Sequence, residues 1–166
     1  GNWGCPPEQY PAALQMVLDG KIAIAPYVEE RPLDEASKVF EAVMRHCAER
    51  EETWISEEIV QSYLQLHELG YAHSVEAWSE GKLAGGLYGV AIGGAFFGES
   101  MFSLRRNASK VALVYLVNML RKKDYELLDT QFITPHLRTF GTIEIPRHTY
   151  LGLLKKAIAK KCSLIE

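Results

Sequence analysis

Ala72-His-Ser-Val-Glu-Ala-Trp-Ser-Glu-Gly-Lys-Leu83-Ala-Gly-Gly-Leu-Tyr-Gly-Val-Ala-Ile92-Gly-Gly-Ala95-Phe-Phe-Gly-Glu-Ser-Met101 is the stretch whose reading decides the fold. Ala72 to Trp78 reads as a strand, Ser79-Glu-Gly-Lys as a tight turn, and Leu83 to Ala91 as the returning arm of a hairpin. Ile92-Gly-Gly then turns the chain into a third strand, Ala95 to Met101. Three meandering strands predict a mostly antiparallel sheet.

Helical spacing surrounds this meander. Downstream, Asn107 to Arg121 reads as a helix, with Ala108, Val111, Ala112, Val114, Tyr115 and Val117 as its apolar content. Leu127 to Ile133 is a predicted strand, Gly141 to Ile145 another, and Pro146 to Lys161 a closing helix with a basic outer face. Upstream, Thr53 to Leu66 is an amphipathic helix whose Ser56-Glu-Glu has the composition of a capped first turn. A longer helix starts around Leu33-Asp34, with Val39, Phe40, Val43 and Met44 at apolar positions. Pro32 falls just before its first turn, where a missing N–H costs nothing. Pro11 to Gly20 reads as a short helix with a glycine stop, and Lys21 to Val28 as a strand that Pro26 confines to a sheet edge. From residue 53 the order is helix, three strands, helix, strand, strand, helix. That order fits an α+β fold or an α/β one, with a mixed, mostly antiparallel sheet flanked by helices.

The chain has 166 residues, 48% of them hydrophobic, enough for one domain with a real core. With no apolar run near 18 residues and no basic–apolar signal segment, the expected location is the cytoplasm. Cys5, Cys47 and Cys162 are far apart and odd in number, which argues for reduced thiols rather than a disulfide framework or a metal site. The net charge of −3 conceals an asymmetry: residues 1–100 carry −10 and residues 101–166 carry +7. A basic half fits a polyanionic partner such as nucleic acid, against the plain alternative of a solvated helix surface. Arg105, Arg106, Lys110, Arg121, Lys122, Lys123, Arg138, Arg147, Lys155, Lys156, Lys160 and Lys161 are the residues expected to make up a basic face.

Three polar residues stand out in apolar segments: Glu99 after Ala-Phe-Phe-Gly98, and Asp129 and Gln131 after Tyr125-Glu-Leu-Leu. Alternation along a strand places Asp129 and Gln131 on one face. A carboxylate and an amide sharing a face at the end of a buried strand need partners or a ligand. His67 and His73, six residues apart on different elements, lack a metal signature and read as structural, and His136 and His148 join no constellation. Gly85-Gly86 and Gly93-Gly94 lack the Gly-Lys-Ser/Thr context of a phosphate loop and fit hairpin geometry.

From about Phe40 to Lys156 the chain resembles the leucyl/phenylalanyl-tRNA–protein transferases. Seven ordered blocks carry the resemblance: Thr53-Trp-Ile, Leu66-His-Glu-Leu-Gly-Tyr-Ala-His-Ser-Val-Glu, Ala84-Gly-Gly-Leu-Tyr-Gly-Val-Ala, Gly98-Glu-Ser-Met-Phe-Ser, Asn107-Ala-Ser-Lys, Leu128-Asp-Thr-Gln and Gly141-Thr-Ile-Glu-Ile-Pro-Arg. It implies an acetyltransferase-like (GNAT-like) fold that uses aminoacyl-tRNA, and transfer of Leu or Phe to protein N-termini beginning with Arg or Lys, the tagging step of the N-end rule of protein degradation. Residues 1–40 do not match that family. With Gly1-Asn-Trp-Gly-Cys-Pro-Pro-Glu-Gln-Tyr, Leu18-Asp-Gly-Lys-Ile and Arg31-Pro-Leu-Asp-Glu they resemble the C-terminal tail of a medium-chain alcohol dehydrogenase, of the hydroxycyclohexene-carboxyl-CoA dehydrogenase type. The division implied is 1–40, a dehydrogenase-like segment joined as a natural or artificial fusion, and 41–166, the transferase domain. The tail lacks nucleotide-binding glycines, so no redox activity is inferred from it.

An aminoacyl ester is already activated, so the reaction needs alignment, one proton transfer and oxyanion stabilisation, with no ATP, cofactor, metal or covalent nucleophile. The resemblance implies that Asp129, directly or through Gln131, orients or deprotonates the attacking amine, and that Glu99 holds the α-amino group of the bound Leu or Phe. It implies an apolar side-chain pocket at or beside Leu87, Phe96, Gly98, Met101, Leu113 and Leu116, accepting Leu, Phe and Met and excluding β-branched or charged side chains. Trp54 matches a tryptophan that stacks on the terminal adenosine. Two departures are visible: Leu87 stands where methionine is common, and a second adenosine-side tryptophan belongs to a domain that the first 40 residues do not match. Two other functions compete. An acyl-CoA-dependent N-acetyltransferase would need a glycine-rich pyrophosphate loop, and Phe102-Ser-Leu-Arg-Arg-Asn-Ala-Ser has no glycine. The other is an inactive remnant that binds tRNA or a partner.

Overall fold

The computed structural model describes residues 33–165. The helix predicted over Pro11–Gly20 and the strand over Lys21–Val28 lie outside the described residues. Helices α1 (Leu33–Ala48) and α2 (Glu57–Glu68) precede strands β1 (Ala72–Ser79), β2 (Lys82–Ile92) and β3 (Ala95–Ser103). Helix α3 (Ala108–Lys122), strand β4 (Leu127–Asp129), the single turn α4 (Pro135–Arg138) and helix α5 (Arg147–Ile158) follow. One four-stranded sheet has the order β1-β2-β3-β4. β1 and β2 are antiparallel, with Ala72 opposite Val90, whereas β3 and β4 are parallel, with Ala95 opposite Leu127 and Phe97 opposite Asp129. The crossover through α3 explains the parallel pair, since a helix returns the chain to the end where the preceding strand began. The fold is α+β with a mixed sheet flanked by helices.

The described residues form two units, one of residues 33–91 and 98–116, the other of residues 92–97 and 117–165. In the first, Phe40, Val43, Met44 and Cys47 recur at i, i+3, i+4 and i+7 along α1 and are buried. Phe40, Val43 and Met44 each contribute about 1.5–3 kcal/mol by leaving water. They join Ile55, Val60, Ala72, Tyr88 and Phe102 in a single core. Helix α1 runs through residue 40 without a break. Helix α2 starts later than Thr53: residues 53–56 are not helical, and Ser56 is the cap, its Oγ accepting the Ile59 N–H. In the second unit Phe96, Leu120, Tyr125 and Ala157 are buried. The Gly94 N–H donates to the Ala157 carbonyl at 2.8 Å, and the Gly94 carbonyl accepts from the Glu126 and Leu127 N–H groups.

Hairpin geometry accounts for only one of the two glycine pairs. Gly93 has φ +57° in the turn after β2, as a tight reversal requires. Gly85 and Gly86 lie inside β2, where close approach is the reason for them: a Cβ on Gly85 would stand 2.6 Å from Ala108 Cβ and 2.9 Å from the Phe102 carbonyl oxygen. Two predicted strands also change. β4 stops at Asp129 rather than continuing to Ile133, because the Asp129 side chain captures the Gln131 N–H and turns the chain. Residues 141–145 form no strand; Gly141, at φ +84°, follows the end of α4 and the segment gains no ladder partner.

Candidate active site

In the first unit the central residue is Glu99 on β3. The Tyr63 hydroxyl, from α2, hydrogen-bonds to Glu99, and burial followed by the Glu99 charge pushes the phenol up to about 12. Arg50, just past α1, donates to Ser100 Oγ at 3.3 Å and to the Met101 carbonyl. Its guanidinium thus grips β3 at the two positions after Glu99. Beside Ser100, burial pushes the Cys47 thiol up to about 11, which removes it as a nucleophile near neutrality. Tyr88 is fully buried, packs edge-on against Tyr63 at 5.5 Å, and is raised by burial first.

The apolar residues expected to line a side-chain pocket occupy several elements. Leu87 is buried on β2, and Leu113 and Leu116 are buried on α3. Leu87 shares a strand face with Gly85, which touches the start of α3 at Ala108. Met101 and Gly98 are half-buried on β3, and Phe96 is buried in the second unit. Trp54, in the segment ahead of the α2 cap, is 52% exposed. His67 stacks on Phe40 at 4.5 Å with its Nδ1 2.8 Å from the Ala72 carbonyl, as a structural histidine does. Burial, then the neighbouring His67, lowers His73. Among the described residues no group of His, Cys, Asp and Glu is arranged to hold a metal.

In the second unit the strand-face argument for Asp129 and Gln131 fails, yet the two remain adjacent. The strand ends between them, and Gln131 adopts φ +60°, so side-chain alternation no longer applies. A turn replaces it: Asp129 Oδ1 accepts the Gln131 N–H at 2.8 Å. Oδ2 accepts the Tyr150 hydroxyl, from α5, at 2.6 Å. Burial, followed by that bond and the Asp129 charge, pushes Tyr150 up to about 12. Tyr63, Arg50 and Tyr150 escaped the sequence reading because no local pattern links them to their partners, which lie 36, 50 and 21 residues away.

The basic residues divide into two kinds. Arg106, Arg147 and Lys155 are exposed. Arg105 pairs with Glu80 at 2.7 Å and Ser79 at 3.1 Å. Lys156 meets Glu126 at 3.2 Å, and Lys160 meets the Asp124 carboxylate at 2.7 Å and Glu126 at 3.1 Å. The Lys160 contacts lower the Asp124 and Glu126 carboxyls.

The model of the leucyl/phenylalanyl-tRNA protein transferase family matches residues 32–155. A relative from Chlorobaculum tepidum with that name is 53% identical over 133 residues, covering 78% of this chain and 69% of its own. Those from Herpetosiphon aurantiacus and Rubrobacter xylanophilus are 60% identical over 124 residues and 62% over 120. They cover 75% and 72% of this chain, and 64% and 63% of their own. The chain spans about two thirds of the length of the curated relatives it matches. A family match over most of the chain, with more than half of the aligned residues identical in several relatives, leads to one conclusion: this chain belongs to the leucyl/phenylalanyl-tRNA protein transferase family.

Proposed function

We propose that the chain transfers a leucyl or phenylalanyl group from aminoacyl-tRNA to the N-terminal Arg or Lys of acceptor proteins, marking them for degradation. The family match over residues 32–155 carries this reading. The acceptor ammonium first gives one proton to solvent. The neutral amine then bonds to the ester carbonyl carbon, the bond from that carbon to the ribose oxygen breaks, and a second N–H proton passes to that oxygen, leaving an amide and a free ribose hydroxyl. Asp129 and Gln131 handle the amine, Glu99 the α-amino group of the bound residue, and Trp54 the terminal adenosine. Leu87, Phe96, Gly98, Met101, Leu113 and Leu116 line the apolar side-chain pocket or lie beside it. Arg105, Arg106, Arg147, Lys155 and Lys156 meet the tRNA.

The setting for this chemistry is an acetyltransferase-like fold working in the cytoplasm without a cofactor; no described helix is long and apolar enough to cross a membrane. Because α1 is unbroken at residue 40, we place the start of the transferase part at α1, with the dehydrogenase-like segment before it. A filter assay with labelled Leu-tRNA and a peptide starting with Arg tests the reading. Label should reach the peptide. Binding of tRNA without transfer would identify a binding remnant, and transfer from acetyl-CoA instead would identify an acetyltransferase.

A further inference from the structure

We propose that Tyr150 is a positioning residue for transfer, holding the Asp129 carboxylate at one fixed angle toward the reacting amine. This rests on the transferase reading above. Asp129 sits on the last residue of a three-residue strand, where the backbone alone constrains its side chain little. Two donors from different elements supply the constraint. The Gln131 N–H fixes Oδ1 at 2.8 Å, and the Tyr150 hydroxyl fixes Oδ2 at 2.6 Å, the length of a charge-assisted O–H···O bond. With one donor on each oxygen, the carboxylate plane is set, and each oxygen keeps a lone pair for a substrate N–H.

Helix α5 is a firm base for such a strut. The Tyr150 N–H donates to the Pro146 carbonyl at 3.0 Å, which places the residue in the first turn. At the other end Gly94 donates to the Ala157 carbonyl, and a Cβ on Gly93 would stand 2.6 Å from the Ile158 carbonyl oxygen. Lys160, just beyond the helix, reaches the Asp124 carbonyl at 2.7 Å. Burial, then the bond to Asp129, raises the phenol to about 12, so it stays protonated, and therefore a donor, through neutral and mildly alkaline pH. Misplacing a reacting group by about 1 Å can cost on the order of a hundredfold in rate, so a strut on Asp129 matters out of proportion to one hydrogen bond.

The experiment is Tyr150→Phe, alone and combined with Asp129→Asn, with kcat and KM measured separately for Leu-tRNA and for the Arg-peptide. Tyr150→Phe should lower kcat about tenfold and leave KM for Leu-tRNA within about twofold, and the double variant should be no slower than Asp129→Asn, because residues acting as a unit are not additive. Wild-type kcat in Tyr150→Phe, or an equal further loss in the Asp129→Asn background, would overturn the proposal. A second readout does not depend on turnover: with 13C-labelled tyrosine, Asp129→Asn should move the Tyr150 titration down from about 12 toward the ordinary value. An unmoved titration would show that the pair does not form and would also overturn it. If the wild-type chain transfers nothing while the titration does move, the transferase reading fails and the positioning role goes with it, although the contact stands.

Discussion

Tyr150 donates its hydroxyl to Oδ2 of Asp129 at 2.6 Å, joining the first turn of α5 to the end of β4. The other unit repeats the arrangement in its own residues, with Tyr63 of α2 held to Glu99 of β3. Each carboxylate singled out by its place in an apolar segment therefore has a helix-borne phenol fixing it. A phenol suits that task near neutral pH because it can donate without carrying charge.

Gln131→Gly separates the two roles of that residue. At φ +60° a glutamine is strained by about 1–2 kcal/mol, and glycine is not, so the variant should fold at least as well by thermal melting. Transfer should nevertheless fall at least about tenfold if the amide serves the amine. Full turnover would show that only the turn, and not the side chain, is needed.

Glu99→Gln should weaken binding of Leu-tRNA by about 1.5–3 kcal/mol while leaving uncharged tRNA nearly unaffected, since a carboxylate facing an ammonium makes a charge-assisted contact. Filter binding of both species decides it. Equal losses for the two would mean that Glu99, tied to Tyr63, only braces β3.

Removing exposed cations should flatten the salt dependence of tRNA binding. Arg106, Arg147 and Lys155 are the positions to change to Gln, and each phosphate no longer neutralised should reduce the log–log slope by about 0.7–0.9. Lys160→Gln should behave differently, lowering the melting temperature because it ties the end of α5 to Asp124 and Glu126. An unchanged slope in the triple variant would mark those three as ordinary solvated surface.

Alkaline pH should destabilise the fold. Tyr63, Tyr125 and Tyr150 are raised to about 12 in the folded chain, burial being the first cause in each. Unfolded tyrosines lose their protons near pH 10, so between about 10 and 12 the unfolded chain holds fewer protons and stability falls as pH rises. The contribution is fully present below about pH 10. Urea melts at pH 9 and 11 would measure it, and identical midpoints would contradict it.

Gly85→Ala tests the close approach of β2 to α3. The added Cβ would meet Ala108 Cβ at 2.6 Å and the Phe102 carbonyl oxygen at 2.9 Å, so overpacking should cost about 1–3 kcal/mol. A denaturant midpoint equal to wild type would show that the two elements can separate freely.

By itself the sequence determined what periodicity and turn chemistry encode. The apolar spacing from Phe40 to Cys47 set the buried face of α1, Ser56 set the cap of α2, and the glycine at 93 set the turn between β2 and β3. The ordered blocks determined the family in the same way, because identity in order along a chain is a one-dimensional property. What only the tertiary structure decided depends on partners distant in sequence. Residues 141–145 have strand composition but no neighbouring strand to bond, so no strand forms. Asp129 and Gln131 have strand spacing, yet a side-chain-to-backbone hydrogen bond at 2.8 Å ends the ladder between them. The lysines of the closing helix look alike in sequence, but Lys160 is committed to Asp124 and Glu126 while Lys155 stands exposed. Arg50, Tyr63 and Tyr150 carried no signal at all, because a hydrogen bond formed across 21 to 50 residues leaves no periodic trace.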